Sequence, residues 1–266
     1  MYGQKRGFGP EATLLKLRSL QDPMHFPRTQ FDDNFRLRGV AITRLDVFSD
    51  VVLGIALVLL VVSLAIPRSF SDLRSPTPSF TASALCFLML VNVWFSHYVF
   101  FRRYGLCDRW TVLLNAALLG LVLFCVYPLK FLYSTLFASL VRAELSPRFA
   151  AAIQINGMMV LYALGFTAVF FLVAALYWNA WRQRDSLVLN GIERLLTVSS
   201  IVDALGISAI GLIACLAALV LPTSWVLYSA LLYFLLLPWK ALNTIYFGRK
   251  ARHLRSLINP QPGLSG

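Results

Sequence analysis

Apolar residues gather into six long runs, separated by shorter polar or charged stretches. A helix that crosses a bilayer needs roughly 20 predominantly apolar residues. Six segments meet that length: 46–66 (stopped by Pro67), 79–101, 110–132, 150–181, 195–221 and 225–247. Pro222 leaves only a tight connection between the last two, which predicts an antiparallel hairpin. So many long runs with so few charges argue against six buried helices of a soluble core. The predicted fold class is all-α, a polytopic membrane protein with six transmembrane helices. The predicted organisation is a basic N-terminal tail over 1–43, a six-helix membrane domain over 44–248 and a C-terminal tail over 249–266. Within the first tail, Glu11–Leu20 has the pattern of a short amphipathic helix on the membrane surface and equally that of an ordinary solvated segment. Residues 67–80, with Pro67, Pro76, Pro78 and several serines, are predicted to be an extracytoplasmic loop.

Composition supports the bilayer as solvent. Of 266 residues, 58% are hydrophobic and 14% charged, against about 45–50% and about 25% in soluble domains. A water-soluble enzyme, a nucleic-acid module and a disordered regulator all fit poorly. The net charge of +12 does not imply nucleic acid here, because the basic residues crowd the ends of apolar runs, where lipid headgroups and topology account for them. Of the 24 basic residues, 19 fall in segments on one side of the predicted membrane and 5 on the other. The positive-inside rule then places both termini in the cytoplasm, consistent with an even number of spans. Trp110, Trp178, Trp181, Trp225 and Trp239 lie near span ends, as an interfacial aromatic belt would. Cys86, Cys107, Cys125 and Cys215 are scattered without a metal or disulfide spacing. The first forty residues show no cleavable signal pattern.

Catalytic signatures are absent: no GxSxG, Walker sequence, HExxH or acidic cluster. The expectation is therefore no enzyme, no metal and no cofactor. The informative stretch is Arg44-Leu-Asp46-Val-Phe48-Ser49-Asp50, at the start of the first span. Arg44 and Phe48 share one helix face, and Asp46 and Asp50 share another. Asp46 suits a helix N-terminus, where the dipole favours a negative charge. Asp50 has apolar neighbours on its C-terminal side, and an ionisable group there is expensive unless paired. Beyond it Phe48, Val52, Ile55, Leu59, Val62 and Ile66 recur at helical spacing. That stripe suits a helix–helix packing seam and equally a pore lining that closes by steric or dewetting effects.

Arg44-x-x-x-Phe48-Ser49-Asp50 resembles the RxxxFSD signature of the transmembrane protein 175 family, endosomal, lysosomal and prokaryotic potassium channels. The likeness continues through Trp94, His97 and Arg102 at the end of the second span, then Asp108, Asn115 and Pro128, covering about residues 44–132. The resemblance implies a homotetramer of six-span subunits in the lipid bilayer, conducting potassium or another monovalent cation through a pore lined by the first helix. It implies a narrowest point at Ile55, with Leu59 and Val62 continuing the constriction. It also implies a structural or gating network of Arg44, Phe48, Ser49, Asp50, Trp94, His97 and Asn115. A single-repeat chain of this family implies a prokaryotic plasma membrane. Two departures stand out: Val58 occupies a position where relatives often carry a hydroxyl, and Val51 one commonly held by glycine. Asp203 in the fifth span has no family counterpart. Two other functions stay open on the residues alone, a secondary transporter or proton pathway using Asp50, His97 and Asp203, and a non-conducting membrane scaffold.

Overall fold

Each long apolar run, free of internal breakers over most of its length, satisfies its own backbone as a helix, the form a bilayer demands of a spanning segment. In the computed structural model the described residues are 35–39, 41–62, 78–142, 149–222 and 226–258. They form six α-helices: α1 (Arg44–Val62), α2 (Pro78–Tyr104), α3 (Arg109–Arg142), α4 (Phe149–Arg182), α5 (Gly191–Val220) and α6 (Leu236–Ile258). A 3-10 segment, Val226–Leu235, precedes α6, and no strand occurs among the described residues. By length and composition Arg44–Val62, Arg109–Val126, Asn156–Arg182 and Gly191–Val220 suffice to cross a membrane. Residues 1–34, 63–77 and 259–266 lie outside the described residues, as do the expectations made for them.

Neighbours in sequence are neighbours in space. α1 packs on α3 and α2, α2 on α3, α3 on α4, α4 on α5, and α5 on both α6 and the 3-10 segment. Lipid is as apolar as leucine, so small residues that permit close approach decide such contacts. On α1 the small residues Ser49 and Ala56 alternate with Leu53 and Leu60 along one buried stripe. On α5, a side chain at Gly206 would collide with the Trp239 ring of α6.

The sixth span departs from expectation. A single helix over 225–247 is predicted, whereas a 3-10 segment leads into an α-helix that starts at Leu236 and runs on to Ile258. Pro238 lies in the first turn of α6, where a missing backbone N–H costs little. Past Phe247, α6 carries Arg249, Lys250, Arg252 and Arg255 on exposed positions.

The packed unit begins at Leu37, ahead of α1. Gly39 N donates to the Arg102 carbonyl at 3.1 Å, and Arg102 Nη1 donates back to the Gly39 carbonyl at 3.2 Å. Gly105 ends α2 at φ +60°, the left-handed conformation glycine adopts freely, and lies against the Arg38–Gly39 backbone. A Cβ at Gly39 would run into the Phe101 carbonyl. The strap thus lies flush on the end of α2.

Candidate functional site: polar networks at the foot of the first helix

α1 starts with a reciprocal cap. Thr43 N and Thr43 Oγ1 both donate to Asp46 Oδ2 at 2.8 Å, and Asp46 N donates to Thr43 Oγ1 at 3.2 Å. This satisfies donors that the first helical turn leaves orphaned. One turn later Ser49 is fully buried, and its hydroxyl donates to the Leu45 carbonyl at 2.8 Å. Asn115 Nδ2 on α3 donates to Ser49 Oγ at 2.8 Å, and Asn115 Oδ1 lies 2.7 Å from His97 Nε2 on α2. A carbonyl oxygen only accepts, so His97 Nε2 carries the proton in this arrangement. Ser49, Asn115 and His97 are all buried, and together they join α1, α3 and α2.

Asp50 goes elsewhere. The sequence predicts that Asp50 lies within hydrogen-bonding reach of Ser49, His97 or Arg44 of the same or a neighbouring subunit; within the protomer Trp94 Nε1 donates to Asp50 Oδ1 at 2.9 Å, in an exposed position. Trp94 stacks on Tyr98 with centroids 5.7 Å apart, and the Arg102 guanidinium lies 5.9 Å from the Tyr98 ring. Arg44 and Phe48 stand exposed and join neither network within the protomer. Of the constriction residues, Ile55 and Val62 are exposed, at 49% and 73%, and Leu59 is half-buried. Val51 and Val58 share that open face.

Two further networks hold residues that, Asp108 apart, the sequence reading did not name. Arg38 makes a bidentate pair with Glu193 on α5, Nη2 to Oε2 at 2.8 Å and Nη1 to Oε1 at 3.2 Å. Arg38 also donates to the carbonyls of Leu187 and Val188. Glu193 closes a capping box with Asn190, and the Asn190-x-x-Glu193 spacing is the one signal that could have marked it. Next to it, Thr197 Oγ1 donates to the Glu193 carbonyl, so the Tyr104 hydroxyl 2.8 Å away is the donor to Thr197.

At the start of α3, Asp108 accepts from Thr111 Oγ1 at 2.5 Å and from Asn179 Nδ2 at 3.2 Å, and Asn179 also donates to Thr111 Oγ1. Partial burial alone would raise the Asp108 carboxyl. Hydrogen bonds from Thr111, Gln183 and Asn179 outweigh it and hold the group below its ordinary value. Among the described residues no cluster of histidine, cysteine or acid could hold a metal ion.

These features define a helical integral membrane protein whose first helix is pinned at its foot by buried polar groups. A family model described as "Endosomal/lysosomal potassium channel TMEM175" matches residues 44–128. A potassium channel of Marivirga tractuosa is 37% identical over 230 residues, 81% of this chain and 90% of that protein. The crystal structure of a variant of the potassium channel MtTMEM175, in complex with a nanobody–MBP fusion, is similar with a TM-score of 0.67 and 34% identity, over 83% of this chain and 98% of that one. A TMEM175 homologue from Chamaesiphon minutus shares the fold, with a TM-score of 0.52 at 24% identity, over 78% of this chain and 96% of its own. The chain belongs to the TMEM175 family.

Proposed function

We propose that this protein is the subunit of a homotetrameric cation channel, with potassium as the carried ion. In this reading four copies of α1 surround the pore, and Ile55, Leu59 and Val62 form an aliphatic constriction. The observation that carries it is the uneven coverage of the membrane-length helices. Only 22% of the α1 window is buried within the protomer, against 56% in α4 and 50% in α5. Its open face is a continuous row of branched side chains, Val51, Ile55, Val58 and Val62. Such a row gates by dewetting once copies close around an axis. The family relatives described above, named as potassium channels, support the choice of ion. The basic excess beside the termini supports a cytoplasmic location for both, and the single-repeat chain with its bacterial relatives supports a prokaryotic plasma membrane.

The purified protein in liposomes should pass potassium down its gradient. Ile55→Asn should raise flux severalfold by wetting the constriction, while a substitution on the buried stripe, Leu53→Met, should leave it unchanged. Absent flux from a folded tetramer, or equal effects of the two substitutions, would sink the pore assignment.

A further inference from the structure

A second polar feature lies away from the open face of α1. A cavity of about 70 Å³ opens between α2, α4, α5 and α6, and Ser96, Tyr177, Ser200, Asp203 and Lys240 supply its polar lining against Phe170, Val173 and Ile207. Asp203 lies eight residues into the predicted span 195–221, roughly 12 Å along the axis at 1.5 Å per residue. That is deep within a hydrocarbon layer roughly 30 Å thick, where a charged group is a functional candidate.

The chemistry of the lining is one-sided. Ser96 Oγ donates to the Asn92 carbonyl at 2.9 Å, and Ser200 Oγ to the Leu196 carbonyl at 3.1 Å. Both hydroxyl protons are therefore spent on backbone, and each oxygen has lone pairs to offer. Asp203 Oδ1 is buried with no hydrogen-bond partner among the described residues. The cavity thus presents four side chains bearing oxygen, Ser96, Tyr177, Ser200 and Asp203, with Lys240 the only cationic side chain of its lining. Asp203 and Lys240 form no direct ion pair, and the described residues give the Lys240 ammonium no other partner. Oxygen-only ligands suit a hard cation, and one carboxylate balances one positive charge. A divalent ion would leave uncompensated charge in a low-dielectric site.

We infer that Asp203, Ser96 and Ser200 form a binding site for a single alkali-metal cation within each protomer, for which the tethered ammonium of Lys240 competes. Lysine carries a compact charge on a flexible four-carbon stem, so it can approach the oxygens when the ion leaves and retreat when one binds. The site does not depend on conduction through α1, since it is read by binding alone.

The experiment follows thermal unfolding of the purified full chain against potassium chloride, with N-methyl-D-glucamine chloride holding ionic strength constant. Lys240→Gln removes the competitor, so half-maximal stabilisation should occur at a potassium concentration about tenfold below that of the wild type, or lower still. The double variant D203N/K240Q should lose the dependence. A K240Q curve that overlays the wild type, or a dependence that survives Asp203→Asn, overturns the site and leaves the cavity to water. If K240Q does not fold, Asp203→Asn alone decides. It should abolish the weaker potassium dependence of the wild type, and an unchanged dependence would overturn the proposal.

Discussion

Replacing Arg38 by methionine tests whether the strap before α1 is held by a buried charge pair or merely lies on the surface. Glu193 is only 1% exposed and Arg38 15%, and their two contacts are 2.8 and 3.2 Å. Without the guanidinium, the Glu193 carboxylate loses both of these contacts, while Asn190 N still donates to it at 3.0 Å. Breaking a buried pair by removing one partner costs about 3–5 kcal/mol. An internal control is at hand. Arg194 pairs with Asp185 at 2.7 Å, but the two side chains are 44% and 71% exposed, and such pairs contribute only about 0–1 kcal/mol. Reversible unfolding in mixed micelles should therefore show Arg38→Met several-fold more destabilising than Arg194→Met. The double replacement R38M/E193M removes both charges and should recover to within about 2 kcal/mol of the wild type, the residue being the lost helix cap. Equal effects of R38M and R194M, or a double variant no better than R38M, would refute a buried, mutually dependent pair.

Asn115→Ala should cost about 2–4 kcal/mol in the same unfolding assay, because it strands His97 Nε2 in a dry interior and removes the donor to Ser49 Oγ. Ser49→Ala removes the bond to the Leu45 carbonyl, which keeps its helical donor, and leaves Asn115 bonded to His97, so it should cost less; an equal or larger loss would contradict the central place of Asn115. Asp108 gives a pH signature. Its folded value lies below the ordinary one near 3.8, so its contribution is complete above that pH and disappears as acid carries the solution down through the folded value. Asp108→Asn should flatten this acid limb, and an unaltered limb would assign it to other carboxylates.

The spans were largely legible because a bilayer leaves little choice. Predicted runs 79–101, 150–181 and 195–221 became Pro78–Tyr104, Phe149–Arg182 and Gly191–Val220. The 3-10 stretch was not legible, since Val226–Leu235 contains neither glycine nor proline to announce it. Ser49, His97 and Asn115 were found through a resemblance, and the structure brings their side chains together. That Asp50 meets Trp94, and not Ser49, His97 or Arg44, within the protomer has a geometric reason. Successive residues on a helix diverge by about 100°, so Ser49 turns inward to α3 while Asp50 turns to the edge of α2 and meets Trp94. Arg38 and Glu193 lie 155 positions apart, and no local pattern joins them. Val188 adds a feature that no propensity would suggest. It is a β-branched residue at φ 50° whose carbonyl accepts from Arg38, in a region such residues rarely visit.

The same 100° step fixes what the rest of α1 can present. Along its length this helix buries only Ser49, Leu53, Ala56 and Leu60, and against lipid the apolar members gain little from being on one side rather than another. Rotation about the helix axis is therefore resisted chiefly at the foot, by Asn115 on Ser49 and Trp94 on Asp50. A turn by one residue would bring Asp50 toward the dry pocket of His97 and Asn115 and carry Ser49 away from its donor. The cost is a buried carboxylate with mismatched partners, several kcal/mol. The rotation that avoids this cost is the one that leaves Ile55, Val58 and Val62 on the open face. Polar contacts in the first two turns of α1 thereby select which aliphatic side chains the following three turns offer to whatever lies beside them.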